Sequence, residues 1–587
     1  MHVIATAGHV DHGKSTLVRA LTGSDPDRLE EEHRRGLSIE LGYVWTSLGS
    51  VGDVAFVDVP GHERFISTML AGIGPVPAVL LVVAADDPWM PQAAEHLAAL
   101  DALGVSYGVV AVSRSDLADP GPAVARARAE LAGTSLRGAP VVPVSAHTGE
   151  GLQRLRARLV EMVAALPTPD PAEDVRLWVD RRFTIKGAGT VVTGTLPAGT
   201  VRVGDTLSSG RATLRVRGVQ SLGRAVDSAA GVARVALNLT GDVVDLDRGS
   251  VLVAPGAWHR TDALDVRVTS RQGTPPPERP LLHIGATSVA THCRPLSDDL
   301  VRLRLDHPLP LRIGDRALLR DPGSRQVWGV SVLDPAPPPL RRRGAATLRA
   351  KALTGVVGPD LADEVARRGI VAVEQLRRIG VPVDDRSLEA AAVVAADGWL
   401  VSDERADAAA AEVQAVVAEQ ERTAPLDRGV PLSVLAERVG LPSVELVRAV
   451  VRPPLRVESG RVTSGRSVVL PEGLQRAVEA VREDLAADPF AAPTADRLRE
   501  VGLDNKGAAA AAKAGLLLRP APGIVLLPDA DRLAAAWLSE LPQPFTTSEA
   551  RVRLGTSRRV VLPLLEHLDR VGLTRRLPDD RREVTGA

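Results

Sequence analysis

The 587-residue sequence holds one cysteine, Cys293. That excludes an intramolecular disulfide and a cysteine-ligated metal centre, and it fits a reducing compartment. Aromatic residues make up only 2% of the chain, and none falls between 551 and 587, so the last segment has no aromatic platform on which bases could stack. No apolar run is long enough to cross a bilayer, and the chain enters an apolar strand directly after Met1. Neither a membrane segment nor a signal peptide is therefore expected, and the expected location is cytoplasmic. Net charge is also missing: 71 basic against 72 acidic residues leave −1, a balance that can conceal a local basic patch. Apolar residues at 45% and charged residues at 24% are ordinary for a soluble globular chain, and its length exceeds what one hydrophobic core organises.

What is present begins at Gly8. Gly8-His9-Val10-Asp11-His12-Gly13-Lys14-Ser15 follows the apolar run His2 to Ala7 and precedes a helical segment, Thr16 to Leu21. Glycines at both ends let the loop curl its N–H groups toward phosphate oxygens, with Lys14 placed for the β and γ phosphates and Ser15 for Mg²⁺. The helix N-terminus adds its dipole. Asp58-Val59-Pro60-Gly61-His62-Glu63 follows a second strand, Val54 to Val57. A nucleoside triphosphatase needs these groups there: Asp58 for Mg²⁺ through water, the Gly61 amide for the γ-phosphate, and His62 to orient the attacking water. Within Arg35-Gly36-Leu37-Ser38-Ile39, Ser38 offers a further Mg²⁺ ligand. Ser113-Arg114-Ser115-Asp116 follows the Tyr107 to Val112 strand. Asp116 there accepts from N1 and N2 of guanine, which adenine cannot satisfy. Ser145-Ala146 supplies a backbone N–H for the guanine oxygen.

Residues 1–170 alternate short apolar runs with helices, the pattern of a parallel α/β domain. After a Pro-rich joint at Pro167 to Pro171, β-branched runs separated by Gly turns predict two small β-barrels, 171–256 and 257–338, divided near Pro255. Pro335 to Pro339, followed by Arg341 to Arg343, reads as a linker. Beyond it a helix, a turn, a second helix and a β-like wing recur at 345–420, 421–472, 473–535 and 536–587, predicting four tandem winged-helix domains. Nine arginines against five acidic residues fall within 551–587. Arg558 and Arg559 sit in the first turn of a helix that starts at Thr556 or Ser557, and Arg575 and Arg576 precede its wing. Both pairs suit phosphates and splayed loop bases. Pro563 interrupts that helix and should bend it.

The order of these elements, with His-Val-Asp-His in the loop and Asp-Val-Pro-Gly-His-Glu after it, resembles the translational GTPases of the elongation factor Tu class. The chain departs from that pattern in two places. Ser113-Arg114 stands where the family has Asn or Thr then Lys, so the amide tether is lost, and Ser38 stands for the usual Thr. Arg35 to Tyr43, Met69 to Ile73, Asp180 to Gly187, Gly555 to Leu565 and Arg570 to Arg575 are similar to the bacterial selenocysteine-specific elongation factors, the SelB type. The resemblance implies the following. The fold is multidomain: an α/β P-loop GTPase domain, two barrels and four winged helices. GTP/GDP and Mg²⁺ are the cofactors, held by Gly8, Asp11, His12, Gly13, Lys14, Ser15, Thr16, Gly61, Ser113, Arg114, Asp116, Ser145 and Ala146, with Ser15, Ser38 and Asp58 on the metal and His62 and Lys14 as catalytic groups. Asp180, Arg181 and Arg234 match the family's amino-acid pocket, where a selenol ionised at neutral pH calls for fixed positive charge. The implied partners are selenocysteinyl-tRNA, the ribosome, and a SECIS mRNA hairpin held through the last winged helix, with no membrane and a monomeric chain. Another tRNA-carrying translational GTPase stays open at this point, as does a nucleotide-gated winged-helix DNA-binding regulator, because winged helices bind both nucleic acids.

Overall fold

The computed structural model describes residues 1–27, 38, 40–62, 65–187, 189–210, 212–269, 274–324, 326–424, 429–465 and 471–585. Arg35 to Leu37, Ile39 and Glu63 of the motifs above lie outside these. Residues 1–392 form one compact unit and 393–587 a second.

The N-terminal domain runs β1 (His2–Ala7), α1 (Lys14–Thr22), β2 (Gly42–Ser47), β3 (Asp53–Asp58), α2 (Ile66–Ile73), β4 (Ala78–Ala84), α3 (Pro91–Ala102), β5 (Tyr107–Ser113), α4 (Gly121–Leu131), β6 (Val141–Pro143) and α5 (Leu152–Ala164). Its sheet has the order β2-β3-β1-β4-β5-β6, with only β2 antiparallel to its neighbour. Helices cover both faces, so β4 is buried at every position and reads as an unbroken apolar run. Along β1, Val3 and Ala5 enter a core with Leu70, Leu100 and Leu131, while Ile4 enters the opposite one with Leu17, Leu21 and Leu159. The parallel pairing leaves the carboxyl ends of β1, β3, β5 and β6 on one edge, where a doubly wound sheet binds ligands.

Two all-β bodies follow. The first contains an eight-stranded sheet between Arg176 and Val253, and the second is a closed six-stranded barrel from Arg260 to Asp334. Ala233–Gly241 alternates buried and half-buried residues, as a barrel wall requires. The strand expected over Val201 to Leu207 is two, Thr200–Arg202 and Thr206–Ser209. Gly204 between them has φ 94°, a left-handed turn that a strand cannot pass through.

The Pro-rich stretch read as a linker is fastened to the second barrel. Arg302 donates to the Pro338 carbonyl at 2.6 Å and Arg368 to that of Ala336 at 3.0 Å. Asp265, fully buried, takes Arg302 at 2.7 and 2.9 Å and Arg349 of the helix Ala345–Leu353 at 2.6 Å. Asp334 takes Arg349 and, at 2.7 Å, Arg368. Buried carboxylates demand such partners, and the partners arrive on the segment that follows the barrel.

In the second unit, helix pairs are each followed by a two-stranded wing: Leu432–Val439 and Val444–Val450, Ala495–Glu500 and Asn505–Lys513, Thr547–Arg553 and Arg558–Arg570. With the hairpin Val393–Ala396/Trp399–Ser402, these belong to the tandem winged helices. Phe490, Phe545, Leu564 and Leu565 share one core, so residues from the last two repeats pack together.

Candidate nucleotide and RNA sites

The loop between β1 and α1 has the backbone a phosphate cradle needs. Gly8 has φ 129°, and a Cβ there would lie 2.1 Å from the Val82 carbonyl oxygen, so only glycine fits. Asp11 and Gly13 are also left-handed, and α1 begins without a side-chain cap, leaving its first N–H groups for an anion. The Gly8 N–H is anchored behind the loop by His96 Nδ1 of α3 at 2.9 Å. Burial pushes His96 down to about 3, so it stays the neutral acceptor this bond requires.

Lys14 is buried, with Nζ turned into the cradle onto the carbonyls of Gly8 (3.1 Å) and His9 (2.7 Å). Burial lowers its pKa to about 8, against the pull of Asp58. Ser15 Oγ donates to Asp58 Oδ2 at 2.7 Å and lies 3.1 Å from Ser38 Oγ, which in turn donates to Asp27 at 2.8 Å. Three hard oxygen ligands thus converge, a donor set that suits Mg²⁺. Asp58 is itself held by Thr6 Oγ1 at 2.6 Å, and the same hydroxyl accepts from the Val59 N–H at 3.0 Å. Gly61 touches the loop: a Cβ there would meet Lys14 Nζ at 2.4 Å and the Val10 nitrogen at 2.5 Å. His62 follows, half-buried, with its ring centroid 6.1 Å from that of Phe65. Thr16 is exposed on the first turn, and His12 is buried with Nε2 3.7 Å from Asp87.

At the base end, the expected loss of a tether is made good differently. Ser113 Oγ donates to the His12 carbonyl at 2.7 Å, joining this segment to the phosphate loop. Arg114, left-handed at φ 55°, reaches the Asp11 carbonyl and Asp86. Asp116 is exposed, and a hydrogen bond from Ser145 holds its carboxyl below the usual range. The Ser145 N–H donates to the Glu150 carbonyl at 3.0 Å.

On the first β-body, Asp180, Arg181 and Arg234 come together with β2 of the N-terminal domain. Arg234 pairs with both Asp180 oxygens, Nη2 to Oδ1 at 2.7 Å, and its Cζ lies 3.6 Å from the Tyr43 ring centroid. Tyr43 donates to Asp180 at 3.3 Å, and Thr193 does so at 2.8 Å. Arg181 meets Glu40 at 2.8 Å and the Leu41 carbonyl at 3.2 Å. In the C-terminal unit the helix Arg558–Arg570 begins after Ser557 and carries Pro563 within it. Arg558 is exposed on its first turn. Arg559 is also exposed, but its guanidinium is engaged, donating to the carbonyls of Ala492 (2.7 Å) and Pro493 (3.1 Å). Arg575 and Arg576 lie in the first wing strand, Thr574–Arg576, rather than before it, paired with Glu583 and Asp580.

Residues 1–165 match the elongation factor Tu GTP-binding domain. Residues 278–339 match the β-barrel domain of the selenocysteine-specific elongation factor, and 536–582 the winged helix of elongation factor SelB. A crystal structure of the bacterial selenocysteine-specific elongation factor EF-Sec superposes over 100% of both chains with a TM-score of 0.77 at 25% identity. From end to end, the chain resembles the selenocysteine-specific elongation factors (SelB). Among curated SelB relatives, the one from Desulfomicrobium baculatum is 37% identical over 399 residues, covering 64% of this chain and 63% of the relative. That from Escherichia coli strain K12 is 39% identical over 357 residues, covering 58% and 56%. The chain thus spans less than two thirds of the length of these two relatives. The likeness extends into the long segment that follows the barrels, where residues 536–582 match the SelB winged helix. Thr6, Asp27, Tyr43 and His96 are among the contacts of these sites that escape sequence reading. Thr6 alone carried a signal, a hydroxyl inside an otherwise apolar buried strand.

Proposed function

We propose that this chain is a GTPase that carries selenocysteinyl-tRNA to the ribosome at recoded UGA codons, guided by an mRNA hairpin bound to its last winged helix. The observation that carries the reading is how the sites are joined. Ser38 sits at the magnesium end of the nucleotide site, and Glu40, Leu41 and Tyr43, a few residues on, contact Arg181, Asp180 and Arg234. A change around the γ-phosphate is thereby transmitted to the amino-acid pocket through one short segment.

In this reading, GTP draws Lys14 from the Gly8 and His9 carbonyls to its β and γ phosphates. Asp116 takes the guanine N1 and N2 hydrogens, and the Ala146 amide meets the base oxygen. Ser15, Ser38 and Asp58 would hold Mg²⁺, which would supply positive charge beside the β and γ phosphates. His62 orients the attacking water, and the ribosome stimulates the step by fixing that orientation. In the pocket, Asp180 accepts the α-amino group of the esterified amino acid. Its departure from Arg234 leaves a guanidinium facing the selenolate, whereas a neutral seryl hydroxyl gains nothing comparable. At the far end Arg558 is placed for RNA phosphates. Arg575 and Arg576 can exchange their exposed carboxylate partners for phosphates at little cost, since solvent screens such surface pairs.

The test is nucleotide-dependent tRNA binding. Filter binding of selenocysteinyl-tRNA to the full chain should be tight with a non-hydrolysable GTP analogue and weak with GDP. Equal binding in both states would remove the switch from the account.

A further inference from the structure

Asp86 enters the site described so far only as a partner of Arg114. It lies just past the end of β4, beside the base-reading segment that ends β5; the two strands pair as far as Ala84 with Ser113, and the Ala85 N–H donates to the Ser113 carbonyl at 2.9 Å. Its two carboxylate oxygens lie 3.1 and 3.3 Å from Nη1 of Arg114, whose other terminal nitrogen, Nη2, donates to the Asp11 carbonyl of the phosphate loop. Asp87 adds a longer contact at 3.6 Å. Arg114 thus bridges the loops after β4 and β5 to the loop that cradles phosphate.

The chemistry explains why an arginine here needs such a partner. A lysine ammonium is a compact charge that settles on one carbonyl from many directions. A guanidinium is planar, and its orientation is fixed only when acceptors engage two of its nitrogens. The Asp11 carbonyl serves one and Asp86 the other. Without Asp86, Arg114 keeps its charge and stem but loses the plane that ties the base-reading segment to the phosphate loop.

We propose that Asp86 is a positioning residue for nucleotide retention. It holds Arg114 across the phosphate loop, so that the segment reading the base and the loop holding the phosphates open together rather than separately. The role rests on the guanine-nucleotide reading given above, and it predicts an effect on dissociation rather than on base choice, which belongs to Asp116. For a partly exposed charge pair the expected size is about threefold in the dissociation rate.

The experiment is a stopped-flow chase of fluorescent ribose-labelled GDP from the full chain, comparing wild type, Asp86→Asn, Arg114→Lys and the double variant. Asp86→Asn should speed release about threefold when Arg114 is retained. In the Arg114→Lys background, where the ammonium needs no second acceptor, it should do so by less than about 1.5-fold. The ratio of GDP to IDP affinity should not move, because the exocyclic amine that distinguishes them is read by Asp116. A pair with a merely structural role would lower thermal stability equally in both backgrounds and leave the release rate alone. Release from Asp86→Asn at the wild-type rate, or an equal acceleration in both backgrounds, would overturn the proposal. Failure of the wild-type chain to bind the labelled GDP at all would instead overturn the guanine-nucleotide reading, and this proposal with it.

Discussion

Replacing His96 by leucine tests how the phosphate loop is held from behind. The substitution removes the acceptor of the buried Gly8 N–H, and an orphaned buried donor costs about 1–3 kcal/mol. The same histidine carries an opposing cost that depends on pH. Burial lowers its pKa from 6.5 to about 3 in the folded chain. Below pH 6.5 the unfolded chain therefore binds a proton that the folded one refuses, and stability falls with pH by about 1.4 kcal/mol per unit until pH 3 is approached. At pH 5 that loss is about 2 kcal/mol. Leucine has no proton to bind, so His96→Leu should be less stable by about 1–3 kcal/mol at pH 7.5, with the gap to wild type closing by about 2 kcal/mol at pH 5. Urea unfolding of the full chain, read at the β1 amides by hydrogen-exchange mass spectrometry, measures both values. A gap that is absent at pH 7.5, or that keeps its size at pH 5, would refute the reasoning.

Two further outcomes follow from the sites. Asp116→Asn should cost GTP affinity at least about a hundredfold, from two charge-assisted bonds of about 1.5–3 kcal/mol each, and should shift preference toward xanthine nucleotides; unchanged GTP binding in equilibrium titration would contradict the assignment. Arg558→Ala should weaken binding of the mRNA hairpin and lower the slope of log affinity against log salt by about one with no change in melting temperature, whereas Arg559→Ala should lower the melting temperature of the C-terminal unit by freeing the Ala492 and Pro493 carbonyls.

The strands of the N-terminal domain were legible because their burial is two-sided and leaves unbroken apolar runs: β1 and β4 occupy the residues expected of them. The motifs also pointed to residues that lie close in space: Ser15 is within hydrogen-bonding distance of both Ser38 and Asp58, and Lys14 sits on the loop carbonyls beside them. What sequence could not supply were contacts across folds. His96 is 88 residues from Gly8, and nothing in the run Pro91 to Ala102 distinguishes a buried acceptor from an ordinary helix histidine. The arginines of the last repeat show the same limit. Arg558 and Arg559 are adjacent, chemically identical and both exposed, yet helix geometry brings the second onto neighbouring carbonyls. Ser113 was read as losing a tether because the amide was missing; a hydroxyl at 2.7 Å from the His12 carbonyl performs that task in three dimensions. The Pro-rich segment at 335–339 looked like a free joint because its anchors, Arg302 and Arg368, lie on the barrel and on a later helix.

The proposed selectivity for a selenol side chain on the aminoacyl ester rests on Arg234 and Arg181 beside Asp180. Its most direct measurement is the rate of spontaneous hydrolysis of the aminoacyl ester of selenocysteinyl-tRNA and of seryl-tRNA on the same tRNA body, with the full chain and a non-hydrolysable GTP analogue in excess. The account predicts strong protection of the selenocysteinyl ester and little protection of the seryl ester, with the difference lost in Arg234→Met. Equal protection of both esters by the wild-type chain would contradict it.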